Sequence, residues 1–372
     1  MIQERSLLFV AALFLIAAAS PHQPNGRSPF SNHNEAAVVR NEPIPKGFAA
    51  EGRTTTTSYV PKSFAGLQNG AFKAKLNNVE ISYTVAGAGP VIVVQGVGWG
   101  PDSRLYQNSL KFLQSTYTLV HIDPRGTGDT APIADLTLLT SDLMADDIEA
   151  LRQHLGLNRL VLLGHAHGGF IAMKYALKYP ARLAQLILVD CVLMDNLEDG
   201  VRLVNENLQR HPRRKDSSWE AATAKFKEEY DARTVEALRE NLLATAILYF
   251  YYYSPQYRAA FEKAVNEAGL SINNFDQFVQ RDLLHYHLDG QEARITAPTL
   301  LLYGLHDPYF IRAAARRLHF AIRNSKLELF ELSGHYPWIE EPQHFAQVMK
   351  AFLNPTATPA AAEGARETTQ RQ

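Results

Sequence analysis

Between positions 164 and 169 the chain reads Gly164, His165, Ala166, His167, Gly168, Gly169, directly after an apolar run and directly before a helical pattern. Small residues flanking a central position suit a sharp strand-to-helix turn, where a side chain would collide with neighbouring backbone. A hydroxyl or thiol at such a tip can attack an acyl carbon. Ala166 offers a methyl, which can neither attack nor hand a proton to a base, so a covalent acyl route is closed. Groups that move protons stand further along: Gly304, Leu305, His306, Asp307 after another apolar run, then Ser333, Gly334, His335. An imidazole exchanges protons near neutral pH, and a carboxylate beside it fixes its tautomer. Taken singly, Asp307 before Pro308 reads equally as a turn residue, and His335 as a packed loop histidine.

The order of the pieces adds specificity. The turn at Ala166 resembles the nucleophile elbow of the α/β-hydrolases, GxSxG, with alanine in place of serine. Upstream, Val94, Gln95, Gly96, Val97, Gly98 resembles the oxyanion loop, although Gln95 stands where the family commonly has histidine. Asp123, Pro124, Arg125, Gly126, Thr127, Gly128 is similar to the family's DxRGxGxS loop, closed here by Asp129 and Thr130 and read as a structural turn held by Asp123 and Arg125. The Asp307 and His335 loops resemble those bearing the acid and the base. Glu341, Pro342 and the periodic Phe345, Val348, Met349 and Phe352 are similar to the family's last helix.

The resemblance covers roughly residues 71–354. It implies that Asp307 and His335 are catalytic and that the N–H groups of Val97, beside Gly96, and of His167 form an oxyanion hole. It also implies a pocket near His165, Trp99, Asp190 and Tyr251. Asp190 sits where some members keep their acid. The implied enzyme acts on a small, largely apolar oxygenated molecule, an ester, lactone or carbon acid, with His335 as general base and no serine. The chemistry is then water-mediated hydrolysis or lyase or cyclase chemistry; some cofactor-free dioxygenases of the family share a GHxHGG elbow. Two alternatives stay open: a non-catalytic pseudohydrolase that binds a ligand, and a serine hydrolase inactivated by alanine at 166.

These residues need a scaffold. Apolar runs at 91–95, 117–122, 160–164, 186–189 and 299–303 read as buried strands, and helical spacing appears over 141–155, with Ser141 as cap, and from 169 to before Pro180. Strands alternating with helices predict an α/β fold, here the α/β-hydrolase fold: a mostly parallel sheet with helices on both faces. Strand signals stop over 195–290, which reads as an inserted helical cap between core segments 71–194 and 291–354. Within it, the run Leu248, Tyr249, Phe250, Tyr251, Tyr252, Tyr253 either lines a pocket or packs the cap. His285 and His287 lack the further ligands a metal site needs.

The chain has 372 residues, 37 Lys and Arg against 38 Asp and Glu, and a hydrophobic share of 46%, enough for a large core and without a charge run that would attract nucleic acid. The single cysteine, Cys191, excludes an intrachain disulfide and reads as a buried thiol. No metal or organic-cofactor motif occurs, so the expected cofactor is none and the expected partner a small molecule. Residues 1–20, with Arg5 before the apolar stretch 7–19, have the form of a signal peptide too short for an ordinary membrane span. The secretory pathway is expected, with a cytoplasmic protein or one anchored through 7–19 as alternatives. Segments 21–70 and 355–372 read as flexible.

Overall fold

The computed structural model describes residues 67–191, 193, 197–227, 234–283, 286–309 and 312–354. The leader, most of the segment expected to precede the core, the tail and His285 lie outside them. Among the described residues no helix is long and apolar enough to cross a membrane.

Eight strands form one sheet: β1 (Gly70–Leu76), β2 (Val79–Gly87), β3 (Val91–Gln95), β4 (Thr118–Ile122), β5 (Leu160–His165), β6 (Leu183–Val189), β7 (Thr299–Gly304) and β8 (Ser325–Phe330), in the order β1-β2-β4-β3-β5-β6-β7-β8. β2 pairs antiparallel with β1 and β4, and every other pairing is parallel. The five central strands β3 to β7 are buried at every residue, which is why they are mostly apolar: helices cover both faces. Each fully buried Val, Leu or Ile contributes about 1.5–3 kcal/mol. The outer strands carry a weaker signal. β1 exposes Lys73 and Lys75 between Ala74 and Leu76, and charges on an edge discourage pairing with another chain.

Eleven helices enter the account: α1 (Arg104–Gln107), α2 (Ser141–His154), α3 (His167–Lys178), α4 (Leu197–Arg210), α5 (Ser217–Lys227), α6 (Val235–Thr245), α7 (Pro255–Glu267), α8 (Ile272–Gln277), α9 (Arg312–Ala321), α10 (Pro337–Glu340) and α11 (Pro342–Leu353). On one face of the sheet Met144, Ile148 and Leu151 of α2 join Phe170, Ile171 and Tyr175 of α3. On the other, Leu105 and Tyr106 of α1 join Phe345, Met349 and Phe352 of α11. Two helix starts differ from expectation. Thr140, not Ser141, caps α2, its hydroxyl accepting from the Leu143 N–H, and α3 begins at His167 instead of 169.

Helices α4 to α8 lie between β6 and β7 and end in a π-helical turn, Phe278–Asp282. This insertion is tied to the loop after β3. The Asp102 N–H donates to Gly269 O at 3.0 Å and the Ser271 N–H to Gly100 O at 3.0 Å. The Asn274 side-chain amide donates to Gly98 O and Arg125 O.

Candidate active site

β5 leads into Ala166, whose φ of 50° and ψ of −119° place a non-glycine residue in a sparsely populated region. The turn is held by the Ala166 N–H donating to Val189 O at 2.9 Å and the Gly169 N–H donating to Ala166 O at 2.9 Å. A Cβ at Gly168 would overlap the backbone oxygens of Gln95 and Gly96, so only glycine lets the loop after β3 approach the elbow this closely.

Asp307 lies just past β7 and His335 in the loop after β8, and their side chains meet: His335 Nδ1 is 2.8 Å from Asp307 Oδ2. Both are buried. A carboxylate only accepts, so Nδ1 carries the proton and Nε2 keeps a lone pair. Among the described residues Nε2 makes no hydrogen bond. Asp307 Oδ1 accepts from the Tyr309 N–H at 2.9 Å, which fixes the carboxylate plane. The His335 N–H donates to Tyr249 O at 2.7 Å, and the rings of Tyr249 and Tyr309 stand 5.8 and 5.6 Å from the imidazole.

Two glutamates brace this loop. Glu340 accepts from the N–H groups of Gly334, Tyr251 and Tyr252. Burial nonetheless pushes its carboxyl up to about 7, against the pull of those donors. Glu341 accepts from Ser333 Oγ at 2.6 Å and from the Leu332 N–H.

His165 takes a role that the sequence did not disclose. Its ring packs 4.5 Å from that of His335, and its Nε2 lies 2.9 Å from His335 O, an acceptor, so Nε2 carries the proton. Nδ1 must then accept from the Tyr106 hydroxyl at 3.1 Å, and that hydroxyl accepts from the Val97 N–H at 3.1 Å. Burial, then the neighbouring His335, holds His165 well below the usual imidazole range, so it stays neutral. The chain of bonds links the loop after β3 to the His335 loop. It also corrects an expectation: the Val97 N–H is already engaged, because the fully buried Tyr106 hydroxyl needs partners.

His167 is engaged as well. Its Nδ1 accepts from the Gly98 N–H at 3.2 Å, so Nε2 bears the proton and faces Ser141 Oγ at 2.8 Å, while Ser141 donates to Asp282 Oδ2 at 2.5 Å. Burial works to raise the Asp282 carboxyl, but its bonds with His167 and Ser141 hold it below the ordinary range. The Ser141 hydroxyl, expected to cap a helix, instead ties the insertion's π-turn to the elbow. What His167 offers a ligand is its backbone N–H, in the first turn of α3, where amides have no intrahelical acceptor.

The other expected site residues have partners of their own. Trp99 packs edge-on against Phe275 at 6.1 Å, and Tyr251 stacks on His306 at 4.2 Å. Gly96 lies against Tyr106 and accepts from the Gln95 amide at 2.9 Å. Asp190 is buried at the end of β6, where its Oδ1 accepts from the Gly304 N–H at 2.9 Å. Arg125 clamps Asp147 of α2 through two bonds and also donates to Leu138 O, whereas Asp123 accepts from the Ser103 N–H, so the pair braces its loop through separate partners. His287 pairs with Asp289. Cys191 is a buried free thiol.

A family profile described as alpha/beta hydrolase fold matches residues 89–342. Among curated proteins, the chain is 24% identical over 290 residues to a 2-hydroxy-6-oxononadienedioate/2-hydroxy-6-oxononatrienedioate hydrolase of Pseudomonas putida, covering 74% of this chain and 92% of that protein. It is 26% identical over 277 residues to a proline iminopeptidase of Clostridioides difficile, covering 72% and 90%. Among solved structures, an esterase from Exiguobacterium antarcticum superposes with a TM-score of 0.59 at 22% identity, covering 76% of this chain and 98% of that one. An alpha/beta fold family hydrolase from Bacillus anthracis gives 0.60 at 21% identity, covering 77% and 99%.

Proposed function

The chain belongs to the α/β-hydrolase fold family and is a hydrolase-family enzyme, and from that premise we propose that it works without a covalent nucleophile, with His335 as general base. The observation that carries the reading is the pairing of His335 Nδ1 with Asp307 Oδ2 at 2.8 Å, beside an elbow that ends in a methyl. Nε2 accepts a proton from water or from an acidic C–H, and the Asp307 carboxylate stabilises the imidazolium that results. In hydrolysis, the water oxygen adds to an acyl carbon as its proton passes to Nε2, and the imidazolium returns that proton to the leaving group. In carbon-acid chemistry the same step yields an enolate. The negative oxygen is met by the His167 amide at the start of α3, favoured there by the helix dipole.

The substrate class is a small, largely apolar oxygenated molecule. Aromatic rings of Tyr249 and Tyr309 around His335 support its apolar character, and similarity to a relative named as the hydrolase of a small oxygenated molecule supports its size. The protein enters the secretory pathway through residues 1–20, which N-terminal sequencing of exported protein would test by finding those residues removed.

The test is a panel of esters, lactones and carbon acids incubated with the protein and its His335→Ala variant, with products read by mass spectrometry. The expected result is a product that disappears with His335. Identical profiles from the two proteins would sink the reading and leave a ligand-binding protein. Ala166→Ser places a hydroxyl on a preformed elbow and is expected to create esterase activity toward small acyl esters, together with labelling by a fluorophosphonate that leaves the native protein untouched.

A further inference from the structure

Asp190 is a buried titratable group that the mechanism above does not use. It terminates β6 with φ 46°, a left-handed conformation that aspartate tolerates better than most residues. The turn aims its carboxyl at the end of β7: the Asp190 N–H donates to Leu302 O at 2.8 Å, and Oδ1 accepts from the Gly304 N–H at 2.9 Å. The residue is 2% exposed, and Oδ2 meets no N–H or O–H donor. The group beside it is the carboxyl of Asp307. The nearby Tyr303 hydroxyl is committed to Cys191 O at 2.6 Å. Among the described residues neither Asp190 nor Asp307 has a Lys or Arg partner.

Two adjacent buried carboxylates without a cation repel strongly, and one proton between them removes the conflict. Both oxygens of Asp307 already accept hydrogen bonds, from His335 and from the Tyr309 N–H, whereas Asp190 has an oxygen with no donor. We propose that Asp190 is a neutral carboxylic acid at pH 7 whose Oδ2–H donates to Asp307, so that Asp190 is a positioning residue that sets how strongly Asp307 draws on the His335 Nδ1–H. This deepens the reading of His335 as the base and rests on it. Burial and the neighbouring Asp307 both push the Asp190 carboxyl well above the usual range, in agreement with the geometry. The pair then carries one negative charge, which matches the single positive charge that His335 acquires during turnover.

The test needs no substrate, so its failure is distinguishable from failure of the proposed reaction. In protein labelled with 13C at aspartate carboxyls, the Asp190 signal is expected at the upfield, protonated position and constant from pH 5 to 8. Asp190→Asn retains both contacts, with Oδ1 accepting from Gly304 and an amide N–H donating to Asp307, and is expected to leave the His335 Nδ1–H proton resonance in place. Asp190→Ala removes the donor and is expected to move that resonance downfield. A carboxylate signal for Asp190 at pH 7, or an equal displacement of the His335 resonance by both variants, would overturn the proposal. Should Asp190→Ala not fold, the carboxyl signal of the unaltered protein and the Asn variant decide the matter.

Discussion

Two histidines of this protein are each coupled to an aspartate, Asp307 buried and Asp282 partly exposed, yet only one keeps a lone pair that no described residue engages. In the His335 and Asp307 couple the carboxylate holds Nδ1–H and the outward nitrogen keeps its lone pair. In the His167 and Asp282 couple, Gly98 N–H occupies the lone pair on Nδ1, and the proton on Nε2 is spent through Ser141. Proximity of imidazole and carboxylate is therefore a poor guide to catalysis. The direction in which the hydrogen bonds run decides whether a basic nitrogen is left over, and that direction follows from which partners can only donate or only accept.

The comparison can be broken by experiment. His335→Ala is expected to lower turnover by roughly 10³-fold with little change in the unfolding midpoint. His167→Ala should do the reverse. It strands the buried Gly98 N–H and Ser141 and is expected to cost about 2–3 kcal/mol in denaturant unfolding, with a much smaller loss of turnover than His335→Ala causes. If the two variants lose turnover alike, the assignment of roles fails.

A smaller effect sharpens the contrast through Glu340, which ties the His335 loop to the insertion. Its carboxyl is raised from 4.5 to about 7 in the folded protein, so the fold favours the protonated form. The stability it contributes is complete below pH 4.5 and is lost as pH rises toward 7. Glu340→Gln, which resembles the neutral form, is expected to flatten the fall in unfolding free energy across that window by about 1–2 kcal/mol, after allowing for partial solvent contact. A curve unchanged by the substitution would remove Glu340 as the cause.

Much of this was legible in the chain. The five central strands announce themselves because burial on both faces leaves few polar positions, and the elbow, acid and base loops keep their order along the sequence. β1, β2 and β8 escaped because outer strands mix polar and apolar residues. Side chains whose roles are set by distant partners escaped too. Tyr106 and His165 are 59 positions apart, and His165 reaches His335 across 170. Ser141 had the local signature of a helix cap, but a neighbouring threonine took that position and freed its hydroxyl for His167 and Asp282. No local rule exposes an N–H as spent, so the engagement of Val97 by Tyr106 emerged only from the folded arrangement.

The backbone at Ala166 still holds the uncommon angles that in a serine elbow serve to thrust a hydroxyl forward. Such a conformation costs on the order of 1–3 kcal/mol and persists only where the surroundings enforce it. With no hydroxyl to present, the bend acts, in the proposed mechanism, through the main chain instead: it turns the chain after Ala166 so that α3 starts at His167, whose N–H has no acceptor within the helix. What endures at this corner is a fixed dipole, and an active site of the kind proposed would select reactants by the charge they develop, not by a bond formed to the protein.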